Sequence, residues 1–322
     1  VYYKTMIEKT WTANEKKTLN EFLRQKIPEL LEGEISNSKI RRLIVSGAVY
    51  INSRQCRIPS FKINSGTAIK VLIDKEKFFF EKQPKDADFE LTENDVLFED
   101  EYLIAINKPP FLPTEQTITG QRKNAHDCTV KYLWQKNSSL RNPPYVGIMH
   151  RLDRETSGIL LFTKSRSVNK DISEMFKTRG IKKIYRAVCT GKLPEQKEFT
   201  VENFIARISP KSSACKMGIV PESRGGLFTK TDFKIISEKN GFIQIDCQLH
   251  TGRTHQIRVQ LSSMNLPIAG DELYGGIKSD RIKLHARKIE FVHPVSKEKI
   301  TIESEIPKNF FTEKSVAPNA SL

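Results

Sequence analysis

Residues 149–164 read MHRLDRETSGILLFTK. One carboxylate, Asp153, stands among His150, Arg151 and Arg154. A Thr-Ser-Gly turn follows, then the unbroken apolar run Ile159–Phe162. A short continuous apolar run bounded by turn residues reads as a strand buried on both faces. Asp153 therefore sits on a loop that enters a buried strand, a rigid place to hold a reactive side chain. The flanking cations favour a carboxylate, which in such a position could serve as nucleophile or base. Charge runs are also common on solvated loops. Glu155 is too near in sequence for spacing alone to define an acid and base pair.

Working outward, similar strand-like runs recur in YLIAINKP, IKKIYRAVCTG, GFIQIDCQLHTG and KIEFVHP, with helical stretches between them. Ser165 can cap a helix whose apolar face is Val168, Ile172, Met175 and Phe176. Strands and helices without regular alternation predict an α+β fold rather than a doubly wound sheet. No GxGxxG follows a strand, and neither a Walker loop nor HExxH is present. These absences argue against a dinucleotide, ATP or zinc-protease site.

The chain of 322 residues is long enough for about two domains. Its 53 Lys plus Arg against 38 Asp plus Glu leave a net charge of +15. That excess points to a polyanionic partner, nucleic acid first. No apolar run approaches the roughly 18 residues of a membrane span, nor does any segment pair an apolar with a basic helical face over enough length to lie on a membrane. The first residues lack the apolar core of a signal peptide. Met6 is a candidate natural start, with the first five residues an upstream extension. Five scattered cysteines without CxxC fit reduced thiols in the cytoplasm and argue against zinc.

The charge is uneven. Residues 1–75 hold 14 Lys plus Arg and 7 Asp plus Glu, a net of +7. There, TLNEFLRQKIPELL is helical through Leu19, Phe22, Leu23 and Leu30, with Pro28 expected to break it. In SNSKIRRLIVSG, Ser38 is the expected N-cap, Ile40, Leu43 and Ile44 form one face, and Gly47 ends the helix. The strands AVYIN and TAIKVLI follow. This pattern resembles the small ribosomal-protein-S-four-type RNA-binding domain. The resemblance implies that Lys39, Arg41, Arg42 and Arg54 contact RNA phosphates, which supplies affinity rather than sequence choice. The expected boundaries are an extension at 1–16, this domain at 17–74, a linker at 75–90, a main domain at 91–309 and a flexible tail at 310–322. Phe78–Phe80 are expected to dock on a neighbouring surface.

HRLDRETSG resembles the "H-R-L-D-x-x-T-S-G" motif of RluA-type pseudouridine synthases. VLFEDEYLIAINKPP, KKIYRAVCTG, LHTGRTHQIRVQL, PIAGDELYGG and LHARKIEFVHP resemble that family's other motifs, in the same order. The resemblance spans nearly the whole chain. It implies a mixed, largely antiparallel central sheet flanked by helices and loops, beside a small N-terminal α/β RNA-binding domain. It makes Asp153 the essential aspartate, Tyr185 the residue stacked on the target uracil, and Arg258 the partner of Asp153. Arg151 would help displace the base, with His150 and Arg253 contacting RNA. No metal or organic cofactor is implied, since the reaction isomerises atoms already present. The implied partner is RNA: large-subunit ribosomal RNA first, free or in an assembling particle, transfer RNA second. A monomer is expected.

Taken singly, these residues have blander readings. A tyrosine in a strand is usually core, and an arginine on a helix usually pairs at the surface. Thr254 could cap a helix that turns Ile257 and Leu261 inward and Arg258 elsewhere. His150 and His255 could be hydrogen-bonding neighbours only, and Lys108 structural. A non-catalytic RNA-binding or ribosome-assembly protein on the same scaffold is the alternative class. Three departures from the family pattern stand out. INKPPFLPTEQTITG lacks the family's His-Pro, Gln260 replaces a His, and ESRGGLFTKTDFKII lacks a Lys-Ala.

Overall fold

The protein is described by a computed structural model covering residues 6–74, 78, 86–116, 122–137, 139–210 and 215–311. The chain divides into two compact units, Val1–Pro84 and Lys85–Leu322.

In the first unit, strands β1 (Met6–Thr12), β2 (Lys17–Thr18), β3 (Val49–Ile51), β4 (Arg54–Cys56), β5 (Lys62–Ile63) and β6 (Ala68–Asp74) accompany helices α1 (Leu19–Leu31) and α2 (Asn37–Val45). The main sheet runs β1-β6-β3-β4, and β2 pairs with β5. Residues 6–12 are no separate extension, because β1 pairs antiparallel with β6 from Met6↔Asp74 to Thr12↔Ala68. Leu19, Phe22 and Leu23 of α1 meet Ile40, Leu43 and Ile44 of α2 in one core. Pro28 does not break α1, which runs on to Leu31. It lies in the last turn, where the helix ends before much of its hydrogen bonding is lost. Ser36, not Ser38, caps α2 by accepting the Lys39 amide. Gly47, at φ 87°, closes the helix. The Ala48 amide reaches back to Leu43 O, as a left-handed C-terminal cap requires. Arg41, Arg42 and Arg54 are exposed and Lys39 half-exposed.

The second unit is built on one large sheet. Its strands are β7 (Val96–Glu99), β8 (Leu103–Lys108), β9 (Gly147–Ile148), β10 (Ser157–Thr163), β11 (Lys182–Thr190), β12 (Glu198–Arg207), β13 (Met217–Ile219), β14 (Leu227–Lys239), β15 (Phe242–Leu249), β16 (Leu284–Val292) and β17 (Lys299–Glu303). The order is β13-β12-β14-β15-β11-β16-β10-β8-β7, with β17 on β16 and β9 on β10. Among the described strands only β10 and β16 run parallel. The sheet is therefore mixed and largely antiparallel, with helices α3 (Ala125–Lys136), α4 (Asn169–Lys177) and α5 (Gln256–Ser263) against it.

Every residue of β10 is buried. Side chains alternate across a strand, so Leu160 and Phe162 enter one core while Ile159 and Leu161 enter another. Burial on both faces is why the strand reads as a continuous apolar run. Gly158, at φ 106°, is where the Asp153 loop joins β10. A Cβ there would run into the Ala286 carbonyl of β16.

Both expected margins are revised. Asp86 binds Arg122 and Arg154, and the Ala87 amide bonds Phe111 O, so 86–90 belong to the second unit rather than to a linker. Phe310, expected in a flexible tail, is buried against His285. Phe78 packs on the first unit's core, while Phe79 and Phe80 lie outside the described residues.

Candidate active site

The Asp153 loop is pinned from below. Thr114 Oγ1 donates to Leu152 O and accepts its amide, at 2.9 and 3.1 Å. Lys108 is fully buried, and its ammonium meets three carbonyl oxygens, Leu112 at 2.8 Å, Pro109 at 2.9 Å and Arg154 at 3.2 Å. Burial pushes this lysine down to about 7, yet three donors against three acceptors match an ammonium. The structural reading of Lys108 thus gains a purpose, since it ties the NKPP turn to the loop. Arg154 turns away to Asp86 and Glu155 and stacks over Phe111. A turn between the Thr156 amide and Asp153 O then lifts the carboxylate into a cleft of about 1360 Å³.

Asp153, Tyr185 and Arg258 all line this cleft. Tyr185 comes from β11, opposite Cys247 on β15 and Ala286 on β16. It is only 8% exposed, so it serves the core and the cleft wall together. Burial, and then the charge of Asp153, push its phenol well above the usual tyrosine range, so it is protonated. Arg258 does not point elsewhere. Its Nη1 donates to Asp153 Oδ2 at 3.3 Å, and its Nε and Nη2 grip Asp271 at 2.7 and 2.8 Å. Burial opposes the charge of Arg258, but the hydrogen bonds and charge of Asp271, then of Asp153, outweigh it. A two-pronged guanidinium–carboxylate pair fixes orientation as well as charge. Tyr274 lies under the guanidinium at 5.1 Å.

The cleft is cationic. Among the described residues, seven Lys and Arg line it against two acids, Glu115 and Asp153. Arg151 and Arg253 are exposed at its edge, Arg151 bonding Glu115 at 2.9 Å. His150, expected to contact RNA, lines the cleft as well. Its Nε2 accepts the Leu161 amide at 2.9 Å and its ring stacks on Phe176 at 4.8 Å. Burial drops it to about 3, so it is neutral and braces the loop.

His285 is similarly buried and held at about 4, first by burial and then by the charge of Arg281. Both rings are neutral in the folded chain and take up protons on unfolding below pH ~6.5. Stability should therefore fall as pH drops from ~6.5 toward 4, by about 1.4 kcal/mol per pH unit for each ring. Urea unfolding of the wild type and of His150→Gln at several pH values checks this. The variant keeps an acceptor for Leu161 and should lose one proton's share of the slope.

Sequence reasoning did not assign Asp271, Tyr274 or Lys183. Asp271 lies in the quoted GDELYGG, but nothing local ties it to Arg258. Lys183 had a readable signal, since it is two residues before Tyr185 and so on the same strand face. It lines the cleft above Phe176 at 5.5 Å, and burial lowers its pKa. Thr254 does not cap α5; His255 holds that position with left-handed backbone. Gln260 accepts from Thr231 Oγ1 at 2.6 Å and donates to Val201 O at 3.3 Å, serving the sheet. The altered loop after Lys108 extends into 117–121, outside the described residues.

The sequence profile of the RNA pseudouridylate synthase family matches residues 102–263. A Bacillus subtilis protein named as an uncharacterized RNA pseudouridine synthase is 33% identical over 76% of this chain and 81% of its own. The ribosomal large subunit pseudouridine synthase D of Neisseria meningitidis serogroup A is 31% identical over 86% of this chain and 74% of its own. In structure, human RNA pseudouridylate synthase domain containing 4 superposes with a TM-score of 0.54 at 24% identity, over 67% of this chain and 90% of its own. The chain belongs to the RNA pseudouridylate synthase family, isomerases that convert uridine in RNA to pseudouridine. Among the described residues no helix is long and apolar enough to cross a membrane.

Proposed function

We propose that this chain isomerises uridine in large-subunit ribosomal RNA, with Asp153 as the reacting carboxylate. The observation that carries the site assignment is the juxtaposition in one cationic cleft. Asp153 lies beside Tyr185 and is held by Arg258, and its Oδ1 takes no hydrogen bond from the described residues. Similarity to proteins named for the large ribosomal subunit supports that RNA. A base in folded RNA must leave its stack before any enzyme can reach it. Tyr185 offers an aromatic face for the flipped uracil, and Arg151, Arg253 and Lys183 offer cations for the flanking phosphates. Asp153 attacks the bound nucleotide, the bond from uracil N1 to the ribose breaks, and the uracil turns. Carbon five then bonds the ribose, the bond to Asp153 breaks and restores its carboxylate, and carbon five releases its proton while N1 gains one. Atoms and charge balance without an added group. Lys39, Arg41, Arg42 and Arg54 of the first unit add phosphate contacts and hence affinity.

Tritium release tests the reading. Ribosomal and transfer RNA from cells lacking this protein, labelled at carbon five of uracil, are incubated with the wild type. Release from ribosomal RNA is expected. Release from transfer RNA alone would move the substrate, and release from neither, nor from immature ribosomal particles, would leave an RNA-binding scaffold.

A further inference from the structure

His255 stands at the head of α5 with φ 56°, a left-handed backbone that asparagine adopts readily. Gln256 secures the preceding turn, its Oε1 accepting Thr251 Oγ1 and the Arg253 amide. The turn sends the His255 ring between two groups. Nδ1 lies 2.8 Å from the Tyr274 hydroxyl, and Nε2 lies 3.8 Å from Asp153 Oδ2.

The Tyr274 hydroxyl already accepts the Met217 amide at 2.8 Å. Tyr274 is a buried residue, and the His255 nitrogen is the one acceptor for its hydroxyl hydrogen among the described residues. The hydroxyl therefore donates to Nδ1. A ring nitrogen that accepts leaves the proton on the other, so Nε2–H faces Asp153. Arg258 reaches the same oxygen, Oδ2. Oδ1 takes no hydrogen bond from the described residues. The groups acting on the ring are Asp153, Arg258, Asp271, Glu155 and the Tyr274 hydroxyl. Burial, aided by Arg258, outweighs the three carboxylates and keeps the ring neutral.

We propose that His255, locked by Tyr274 as the Nε2–H tautomer, is a positioning residue that decides which oxygen of Asp153 reacts. Together with Arg258 it occupies Oδ2, and Oδ1 meets the nucleotide. The proposal rests on Asp153 being the reacting carboxylate. The 3.8 Å separation closes to hydrogen-bond length when the site fills, as catalytic contacts commonly tighten on binding.

Two readouts test this in the full chain. The first is long-range proton–nitrogen correlation on histidine labelled with nitrogen-15, with His255 assigned by the signal that His255→Gln removes. Wild type should show Nε2 protonated and Nδ1 bare from pH 6 to 8, and Tyr274→Phe should show a mixture of tautomers. A wild-type ring protonated on Nδ1 would overturn the proposal. The second is kinetic. His255→Asn suits the left-handed backbone and so should fold, but it cannot reach Asp153. Its kcat should fall about tenfold or more, with KM within about twofold, as for other residues that orient a reacting group. His255→Gln restores a donor where Nε2 stood and should recover most of that loss. An Asn variant as fast as the wild type removes His255 from the role. Turnover by Asp153→Asn instead overturns the reading of Asp153 itself, and leaves the tautomer result as a separate finding.

Discussion

Asp153→Asn should lose turnover by about 10⁴-fold or more, the scale seen when a central reacting group is removed. RNA binding should stay within a few-fold of the wild type. The change is nearly isosteric and Arg258 keeps both bonds to Asp271, so no buried charge is orphaned. Affinity is spread over many phosphate contacts, and the variant removes a negative charge from a cationic cleft. Filter binding and tritium release, measured on the same preparation, separate the two effects. A variant that binds and still turns over would dismiss Asp153. One that neither binds nor turns over would show that its carboxylate supports the RNA surface instead.

Asp271→Ala should be the more damaging change to the fold. Asp271 is 1% exposed and its carboxylate carries two of the bonds that Arg258 makes. Removing it strands a buried guanidinium, which costs about 3–5 kcal/mol. In a unit of this size that lowers Tm by roughly 10 °C. Turnover should fall as well, because Arg258 then has Asp153 as its remaining carboxylate bond and no longer holds one orientation. Arg258→Met combined with Asp271→Ala removes both charges. Replacing a buried pair by apolar groups is often close to neutral, so the double variant should regain stability. It should not regain activity. Recovery of both would make the pair a packing device alone, while a melting point within ~2 °C of wild type for Asp271→Ala would show that the guanidinium is not buried as described.

The parts legible in sequence were those whose signal is local. Ile159–Phe162 read as a doubly buried strand because it is apolar on both alternating faces, and the structure puts those faces into two cores. Ile40, Leu43 and Ile44 read as a helix face because three- and four-residue spacing is set by the helix itself. The errors are non-local. The strand Met6–Thr12 has no role until Ala68–Asp74 arrives beside it, about sixty residues later. Pro28 looked like a break because its tolerance depends on where the helix stops.

Residue types in family order thus determined the chemistry this chain offers: an acid among cations, an aromatic in a strand, and an arginine on a late helix. The sequence by itself also determined the buried strand that carries the loop. Only the tertiary structure decided that Arg258 serves Asp153 and Asp271 together, that the Asp153 oxygens are unequal, and that His255 turns one ring nitrogen toward each neighbour. Hydrogen bonds change character within a few tenths of an ångström and a few tens of degrees. Groups brought together from 153, 185, 258 and 271 obtain that precision from packing across the sheet, which no local spacing encodes.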